Sequence, residues 1–424
     1  MIVLLVLIIG FLGFSYGMIR HFVGDSLSFK GMLSMAGYGG FDMPDWFTNY
    51  VLDVDRSYPG LPELLVDEKG KKVQTPEQYA VYREELLDLY QTYMFGGMPV
   101  EGFETTFTVE ESSPALEGAA LRRQVRVTTR TEAGTHDAML LLYTPANVEQ
   151  CGVFIGLNFS GNTAIWADEA VLPSCTQDPE VTERGQEGWP VNDIIAAGYG
   201  VATMYYGDWA EDNKDTFREG ILSLFPKQDY TAFTAWAFGL MRGVDYLVQQ
   251  PDINSQAIAS VGHSRLARVS LWAGANDERI ALVTASCGGG LMRSPLAARI
   301  DSSSSSAHWN TEAYFSFEGN DEALPVDAHM LYALIADRHL YVSIGAMDLA
   351  SDPVSTYDAL QNAKQIWQTV FGRQVIPDGS YKELPSGQPV FSESVAVHVH
   401  SGGHAMTTED WQNYIDYMTT YVCL

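Results

Sequence analysis

The segment 261–266, which reads VGHSRL, has the residue types of a nucleophilic serine held on a tight turn. A short apolar run leads into Gly262, Ser264 follows, and an apolar helix-like segment begins directly after it. In a nucleophile elbow, a strained turn between a strand and a helix lifts the serine hydroxyl above a parallel sheet. Gly262 suits such a turn because it has no Cβ to crowd the serine backbone. The usual G-x-S-x-G pattern ends here in Leu266, so a plain helix N-cap is the alternative for Ser264.

A serine nucleophile needs a base to take its proton and a carboxylate to orient that base. In the α/β-hydrolase arrangement, serine, acid and histidine follow in this order, each on a loop after a strand. Asp348 comes three residues after an apolar segment that ends in glycine, and His404 follows a glycine pair late in the chain. Asp352 competes for the role of the acid, although its place before Pro353 suits a helix N-cap, the role we expect for it. The sequence therefore predicts the triad Ser264, Asp348 and His404.

Arg265, directly after the serine, offers two hydrogen-bond donors to a developing alkoxide. Its backbone N–H occupies the usual position of an oxyanion donor, and its guanidinium can add a charged one. As an ordinary surface residue it would place a cation at a helix start, where the helix dipole disfavours it. We therefore expect Arg265 to stabilise the oxyanion.

The remaining histidines near these residues are expected to have structural roles. His398 and His400 share one face of a predicted strand, as a metal pair would, but a third ligand with useful spacing is not evident. We expect both to be sheet histidines and predict no metal site. His263 lies inside the elbow and is expected to point away, and His329 lies within a predicted helix.

Strands and helices alternate through the middle of the chain, which predicts the α/β class with a doubly wound, mostly parallel sheet sandwiched by helices. Ligands of such sheets bind at the carboxyl ends of the strands. The predicted strands cover residues 103–110, 124–131, 137–143, 152–158, 199–206, 257–261, 280–285, 339–345 and 395–400. The predicted helices cover residues 76–93, 191–197, 232–250, 265–275, 327–335, 356–371 and 408–422. We expect one domain over residues 61–424, preceded by an irregular segment over 20–60.

The charge balance and the first residues limit the location and the partners of the chain. Lys+Arg 25 against Asp+Glu 53 gives a formal net charge of −28, which repels phosphate backbones and argues against nucleic-acid binding. Residues 1–19 carry no charge, and the apolar run 2–14 has the length of a signal-peptide core. We expect export to the periplasm or outside, with this segment either cleaved or kept as a membrane anchor. The four cysteines lack C-x-x-C spacing, so they are either disulfides or buried thiols.

Several ordered blocks resemble the glucuronoyl esterases, carbohydrate esterase family 15, from about residue 60 to the end. The family's Gly-His/Cys-Ser-Arg-x-Gly-Lys elbow resembles residues 262–268, which read GHSRLAR and are followed by LWAGA. Other similar stretches are LPE at 61–63, MFGGMP at 94–99, YYGD at 205–208, WAFGL at 236–240, LPVDAH at 324–329, LIADR at 334–338 and GGH at 402–404.

The resemblance implies an α/β-hydrolase fold with Ser264 as nucleophile, His404 as base and Arg265 as the oxyanion-stabilising side chain. It implies hydrolysis of esters that join 4-O-methyl-glucuronic acid on xylan to lignin alcohols, without a metal or an organic cofactor. Many members carry the acid as Glu in a Glu-Ser-Gly-x-Gly-Gly stretch, which reads ASCGGG at 285–290 here. Other bacterial members use an Asp in an Asp-x-Trp-Ala-Asp-Pro loop similar to DLASDP at 348–353, which supports Asp348.

Two further departures concern the substrate. Where the family has a Lys that contacts the uronate, this chain has Arg268. We expect Arg268 to bind the substrate as well, but its planar guanidinium offers hydrogen bonds in a different geometry. Where the family has a sugar-contacting Trp, this chain has Ala350. The family's Gly-Glu-Thr segment is not found near 294–299. We expect a secreted, monomeric serine esterase for uronic-acid esters of a plant or algal polysaccharide or oligosaccharide. The alternatives are an esterase of this fold for acetyl or other simple esters and a catalytically degenerate member that binds carbohydrate.

Overall fold

The protein is described by a computed structural model that covers residues 57–177, 185, 187–226, 228–385 and 387–423. The predicted leader over 1–19, and most of the irregular segment over 20–60, lie outside the described residues. One sheet organises the described part, with ten strands in the order β1-β2-β3-β5-β4-β6-β7-β8-β10-β9. The strands are β1 Glu104–Ala115, β2 Ala120–Thr131, β3 Gly134–Pro145, β4 Cys151–Asn158, β5 Gly200–Tyr205, β6 Ile253–His263, β7 Leu282–Ser286, β8 His339–Gly345, β9 Val390–Phe391 and β10 Val395–His400.

The centre of the sheet is parallel, and both of its edges are antiparallel. Strands β5, β4, β6, β7, β8 and β10 run side by side in one direction. Strands β1, β2 and β3 add an antiparallel ribbon at one edge, and β9 pairs antiparallel with β10 at the other. The carboxyl ends of the central strands therefore meet at one edge, where the predicted triad residues follow β6, β8 and β10.

Helices cover both faces of the sheet. The α-helices are α1 Pro76–Tyr90, α2 Val191–Ala196, α3 Tyr206–Trp209, α4 Ala232–Leu247, α5 Arg265–Asn276, α6 Glu312–Phe315, α7 Ala328–Ala333, α8 Pro353–Ala363, α9 Gln365–Phe371 and α10 Thr408–Tyr417. Successive strand residues point to opposite faces, so Tyr341 and Val342 fall into different buried hydrophobic clusters. Trp236 of α4 and Trp272 of α5 belong to one cluster, and Trp411 of α10 belongs to the other. The predicted α/β-hydrolase fold class is confirmed.

The ends of several elements differ from the sequence prediction. Strand β6 begins at Ile253, four residues before the predicted start. The polar residues at its beginning hid the strand pattern. The predicted helix 356–371 is two helices that meet at Lys364, and the first starts at Pro353. Asp352 caps that first helix, accepting a hydrogen bond from the Ser355 N–H, as expected.

The four cysteines carry no disulfide. Cys151 and Cys287 are buried thiols, and Cys175 and Cys423 are exposed. The alternative of buried thiols therefore holds for two of the four, and the alternative of disulfides is wrong. Among the described residues, none of the helices combines the length and the apolar character that crossing a membrane requires.

Candidate active site

The turn between β6 and α5 holds Ser264 in the strained backbone conformation of a nucleophile elbow. Ser264 has φ 59° and ψ −129°, a left-handed φ that non-glycine residues rarely adopt. The turn is possible because glycine backbones surround it. A Cβ on Gly262 would lie 2.0 Å from the Leu266 carbonyl oxygen, and a Cβ on Gly288 would lie 2.2 Å from the Ser264 carbonyl oxygen. Ser264 is thus presented at the sheet edge, as the sequence predicts.

The three predicted triad side chains are in hydrogen-bond contact. The Ser264 Oγ lies 2.8 Å from His404 Nε2, and His404 Nδ1 lies 2.8 Å from Asp348 Oδ2. Because an ionised carboxylate only accepts, Nδ1 carries the proton that faces Asp348, and Nε2 is left to accept the serine proton. This is the tautomer that a general base needs at a serine nucleophile.

The two candidate acids differ clearly in their contacts. Asp348 is 1% exposed, bonds His404 and accepts a second hydrogen bond from the Ser351 N–H at 3.1 Å. Burial raises its pKa, but the hydrogen bonds from His404 and Ser351 outweigh that effect and leave the pKa below the usual value. Asp352 instead caps α8 and accepts a hydrogen bond from the Ser294 hydroxyl. The geometry therefore favours Asp348 as the acid.

His263 does not point away from the site, so that expectation is wrong. Its ring centroid lies 4.7 Å from the ring centroid of His404, and its Nδ1 lies 3.2 Å from the Ser286 hydroxyl. Burial, with the neighbouring charge of His404, lowers the pKa of His263 to about 3. His263 therefore stays neutral and forms an uncharged wall beside the His404 ring.

The Arg265 side chain reaches over the site and is held from three sides. Its guanidinium forms an ion pair with Asp212 and lies against the rings of Phe159 and Trp309, at 5.4 and 5.3 Å from their centroids. Asp212 also accepts hydrogen bonds from His308 Nε2 at 2.8 Å and from the Trp309 indole at 2.7 Å. Asp212 was not evident as a functional residue in the sequence. The only signal was its place after β5, at the same carboxyl edge.

The loop after β4 supplies the second oxyanion donor in many α/β-hydrolases, but here its first four N–H groups already have acceptors. The Ser160 N–H donates to Glu187 at 2.5 Å, and the Phe159 N–H bonds the same carboxylate. The Gly161 N–H donates to the Asn158 side chain at 2.8 Å. The Asn162 N–H is likewise taken, by the Ser174 hydroxyl at 2.9 Å. We therefore look elsewhere for a second oxyanion donor, and the Arg265 guanidinium, which lines the same cavity as Ser264, is a charged candidate.

A cavity of about 320 Å³ opens above Ser264 and His404. Its walls carry many polar side chains, among them Arg265, Arg268, Arg299, Asp301, Ser304, Asn310 and Tyr314. Arg268 lies on α5, one helical turn after Ser264, and its Nε donates to the Gly288 carbonyl at 3.1 Å. Among the described residues, no carboxylate forms an ion pair with Arg268. Arg268 lines this cavity, whose polar side chains suit a hydroxyl-rich ligand.

His398 and His400 do meet a third ligand-type side chain, Asp410, which the spacing in the sequence does not reveal. All three lie close enough together to be considered as a metal site. However, His398 Nε2 and His400 Nδ1 lie 2.5 and 2.9 Å from one and the same oxygen, Asp410 Oδ1. In a tetrahedral zinc site, with metal–ligand bonds of about 2.0–2.2 Å, ligand atoms stand about 3.3 Å apart. The contacts are those of a hydrogen-bonded cluster, as expected for sheet histidines.

A mostly parallel sheet with helices on both faces and a serine on a strand–helix turn defines an α/β-hydrolase. A family model described as "Glucuronyl esterase, fungi" matches residues 156–371. The carbohydrate esterase MZ0003 from an unknown prokaryotic organism is 31% identical over 388 residues, which cover 84% of this chain and 88% of that protein. A 4-O-methyl-glucuronoyl methylesterase from Phanerochaete carnosa is 28% identical, over 77% of each chain.

A solved structure gives the same result. The glucuronoyl esterase from Solibacter usitatus superposes with a TM-score of 0.77 at 29% identity, covering 86% of this chain and 98% of that one. The chain belongs to the glucuronoyl esterases, carbohydrate esterase family 15, and is a carboxylic ester hydrolase. The resemblance seen in the sequence blocks is therefore confirmed.

Proposed function

We propose that this chain hydrolyses esters of uronic acids on polysaccharides, of the 4-O-methyl-glucuronate type, through an acyl-enzyme on Ser264. One observation carries the proposal: His404 bonds both Ser264 and Asp348, at 2.8 Å each, on the floor of a polar cavity. Relatives named glucuronoyl esterase and 4-O-methyl-glucuronoyl methylesterase support the substrate class. The polar walls suit a sugar better than a simple acetyl ester, which offers no hydroxyl groups to bind.

In the acylation step, the Ser264 Oγ attacks the carbonyl carbon of the ester while His404 Nε2 takes its proton. The bond from the carbonyl carbon to the alcohol oxygen then breaks, and His404 returns the proton to that oxygen. A uronoyl ester of Ser264 remains. In the second half, a water molecule loses its proton to His404 and attacks the same carbon, which frees the uronate and restores the serine hydroxyl.

The negative charge on the carbonyl oxygen needs donors aimed at it during both halves. The Arg265 N–H is suited to this because it opens α5 and has no carbonyl one turn earlier to bind. The Arg265 guanidinium, which keeps N–H groups beyond those that pair with Asp212, supplies the second donor. Asp212 and the two flanking rings fix its orientation before substrate arrives, so little reorganisation is needed at the moment of reaction.

The test of the substrate class compares methyl or benzyl glucuronate with p-nitrophenyl acetate on the wild-type enzyme and on Arg268→Met. We expect the wild type to prefer the glucuronate ester in kcat/KM. Arg268→Met should lower kcat/KM for the glucuronate ester by about ten- to a hundredfold, because a charged hydrogen bond contributes about 1.5–3 kcal/mol. The acetate ester, which does not reach Arg268, should be hydrolysed equally by both proteins.

Equal losses on both esters would show that Arg268 supports the site rather than the sugar. A wild type that prefers the acetate would favour the simple-ester alternative. No turnover of either ester, together with no labelling by a fluorophosphonate, would favour a non-catalytic carbohydrate-binding protein.

A second prediction concerns Arg265. Replacement of Arg265 by Met should lower kcat by about a hundred- to a thousandfold with little change in KM, since one oxyanion donor is lost in the transition state. The fold should persist, because Asp212 keeps the hydrogen bonds from His308 and Trp309. The thermal midpoint serves as the control for folding. A variant within about threefold of the wild-type kcat would contradict the role of the guanidinium.

Export of the chain and a monomeric state stay predictions from the sequence. The uncharged, apolar residues 1–19 support export, and the proposed polysaccharide substrate is found outside cells. Whether that segment is removed can be read from the N-terminal sequence of the mature protein.

A further inference from the structure

A buried hydrogen-bonded cluster lies directly behind the loop that carries His404. His398 and His400, two residues apart on β10, face the same side and converge on Asp410 in the first turn of α10. The exposed fractions of the three side chains are 0%, 1% and 0%. Asp410 Oδ2 also accepts from the Thr407 N–H at 2.5 Å and from the Thr407 hydroxyl at 2.9 Å. The carboxylate is thus saturated with donors.

The two histidines of this cluster have different second partners. His398 Nδ1 lies 2.9 Å from the Tyr341 hydroxyl, which can donate, so a neutral His398 satisfies both of its contacts. His400 Nε2 lies 3.3 Å from the Gly403 carbonyl oxygen, and its Nδ1 faces the Asp410 carboxylate. A carbonyl and a carboxylate are both acceptors only. His400 therefore needs a proton on each nitrogen, which makes it an imidazolium.

The charges around His400 agree with this assignment. Burial lowers its pKa, but the hydrogen bond and the charge of Asp410, with Glu409 adding to them, leave the pKa above its usual value. Besides Asp410 and Glu409 on α10, the titratable groups near His400 include His398 on β10 and His263 on β6, with Asp348 and His404 beyond them, and burial together with His404 lowers the pKa of His263 to about 3. His263 therefore carries no positive charge that would compete with the one on His400.

The Gly403 carbonyl that His400 binds is a fixed point of the base loop, since the next residue is His404. The same oxygen accepts the Ala405 N–H at 3.0 Å, and a Cβ on Gly345 would lie 2.2 Å from it. The neighbouring Gly402 carbonyl accepts the Met347 N–H at 2.7 Å, one residue before Asp348. The loops of the acid and the base are therefore locked together at their backbones.

We propose that His400, bridging Asp410 and the Gly403 carbonyl as an imidazolium, is a positioning residue that holds His404 in line with Ser264. The inference rests on the proposed role of His404 as the base. The buried cluster fixes the backbone next to the base His404, where a displacement of about 1 Å costs about a hundredfold in rate. The bridge also makes kcat depend on the second ring proton of His400, which is not transferred in the reaction.

Two substitutions of His400 test its hydrogen bonds to Asp410 and to the Gly403 carbonyl separately. An asparagine amide nitrogen lies near the imidazole Nδ1 position and a glutamine amide nitrogen near the Nε2 position, so His400→Asn keeps a donor for Asp410 and His400→Gln keeps one for Gly403. We expect His400→Asn to lower kcat by about ten- to a hundredfold with KM nearly unchanged. His400→Gln should retain most of kcat, although both variants lose the charge and should show similar falls in thermal midpoint.

The pH profile gives a second readout. A raised pKa means that the bridge is intact at low pH and lost as the pH rises through the folded-state pKa of His400. The wild type should therefore show a decline of kcat on the alkaline side that is absent from His400→Gln. His398→Gln is the matched control, since this residue shares the carboxylate but does not touch the base loop, and it should lower the thermal midpoint with little effect on kcat.

Three results would overturn the proposal. One is a wild-type kcat in His400→Asn, and another is an equal loss of kcat in the Asn and Gln variants or in His398→Gln. The third is a stoichiometric metal ion in the purified protein that is lost in His400→Asn, because the cluster would then be a metal site. Full activity of a Ser264→Ala variant would instead refute the proposed function, so the two failures are distinguishable.

Discussion

Replacement of Ser264 by alanine is expected to lower kcat for glucuronate ester hydrolysis by about a millionfold, the loss typical of a removed serine nucleophile. Without the Oγ there is no atom to form the acyl-enzyme, and the His404 base has no proton to take. The fold should be unaffected, because this hydroxyl is hydrogen-bonded to the catalytic base His404, at 2.8 Å, rather than to the scaffold. Turnover assays, with the thermal midpoint alongside, measure both effects.

The matched control is Ser351→Ala. The Ser351 hydroxyl lies 3.3 Å from His404 Nδ1, the ring nitrogen that does not contact Ser264, and it donates to the Cys287 carbonyl at 2.5 Å. We expect this variant to keep kcat within about tenfold. A fluorophosphonate should add its mass to the wild type and to Ser351→Ala, and not to Ser264→Ala. An active or labelled Ser264→Ala protein would rule out the acyl-enzyme.

The second large effect is expected at Asp348. Asp348→Asn should lower kcat by about ten-thousandfold, because an amide favours the wrong tautomer of His404 and no longer stabilises the imidazolium. Asp352→Asn should keep kcat near the wild-type value, since asparagine caps a helix about as well as aspartate does. The two substitutions are chemically identical and four residues apart, so their kcat values decide between the two candidate acids. A larger loss at Asp352 would reverse the assignment.

Local pattern was enough to predict most of the elements and to name the three side chains that meet at the sheet edge. The apolar runs that end in glycine and the proline after Asp352 are features of neighbouring residues, and each corresponds to a strand end or a helix start in the structure. The order of serine, acid and histidine was that of the α/β-hydrolase arrangement, and the common edge of parallel strands brings the three loops together. The errors at element ends, such as the start of β6, arose where a strand begins with polar residues outside the buried layer.

The supporting contacts could not be predicted, because they join residues that are far apart in sequence and have no shared motif. Asp212 pairs with Arg265 across 53 positions, and Glu187 takes the backbone donors of a loop 27 positions earlier. His263 was expected to point away because alternation along a strand was extended into the turn, where it no longer applies. Asp410 lies ten or more positions after His398 and His400, and only the packing of α10 against β10 brings it to them.

The glycine packing beneath the nucleophile limits which parts of this enzyme can diversify. The backbone of Gly288 lies against the Ser264 carbonyl, and Gly262 lies against that of Leu266, so neither position leaves space for even one added methyl group. The opposite wall of the cavity, built from residues 294–315, consists largely of loop side chains. Substitutions along that wall can therefore change the side chains offered to a ligand, whereas a side chain at either glycine would displace the turn that presents Ser264.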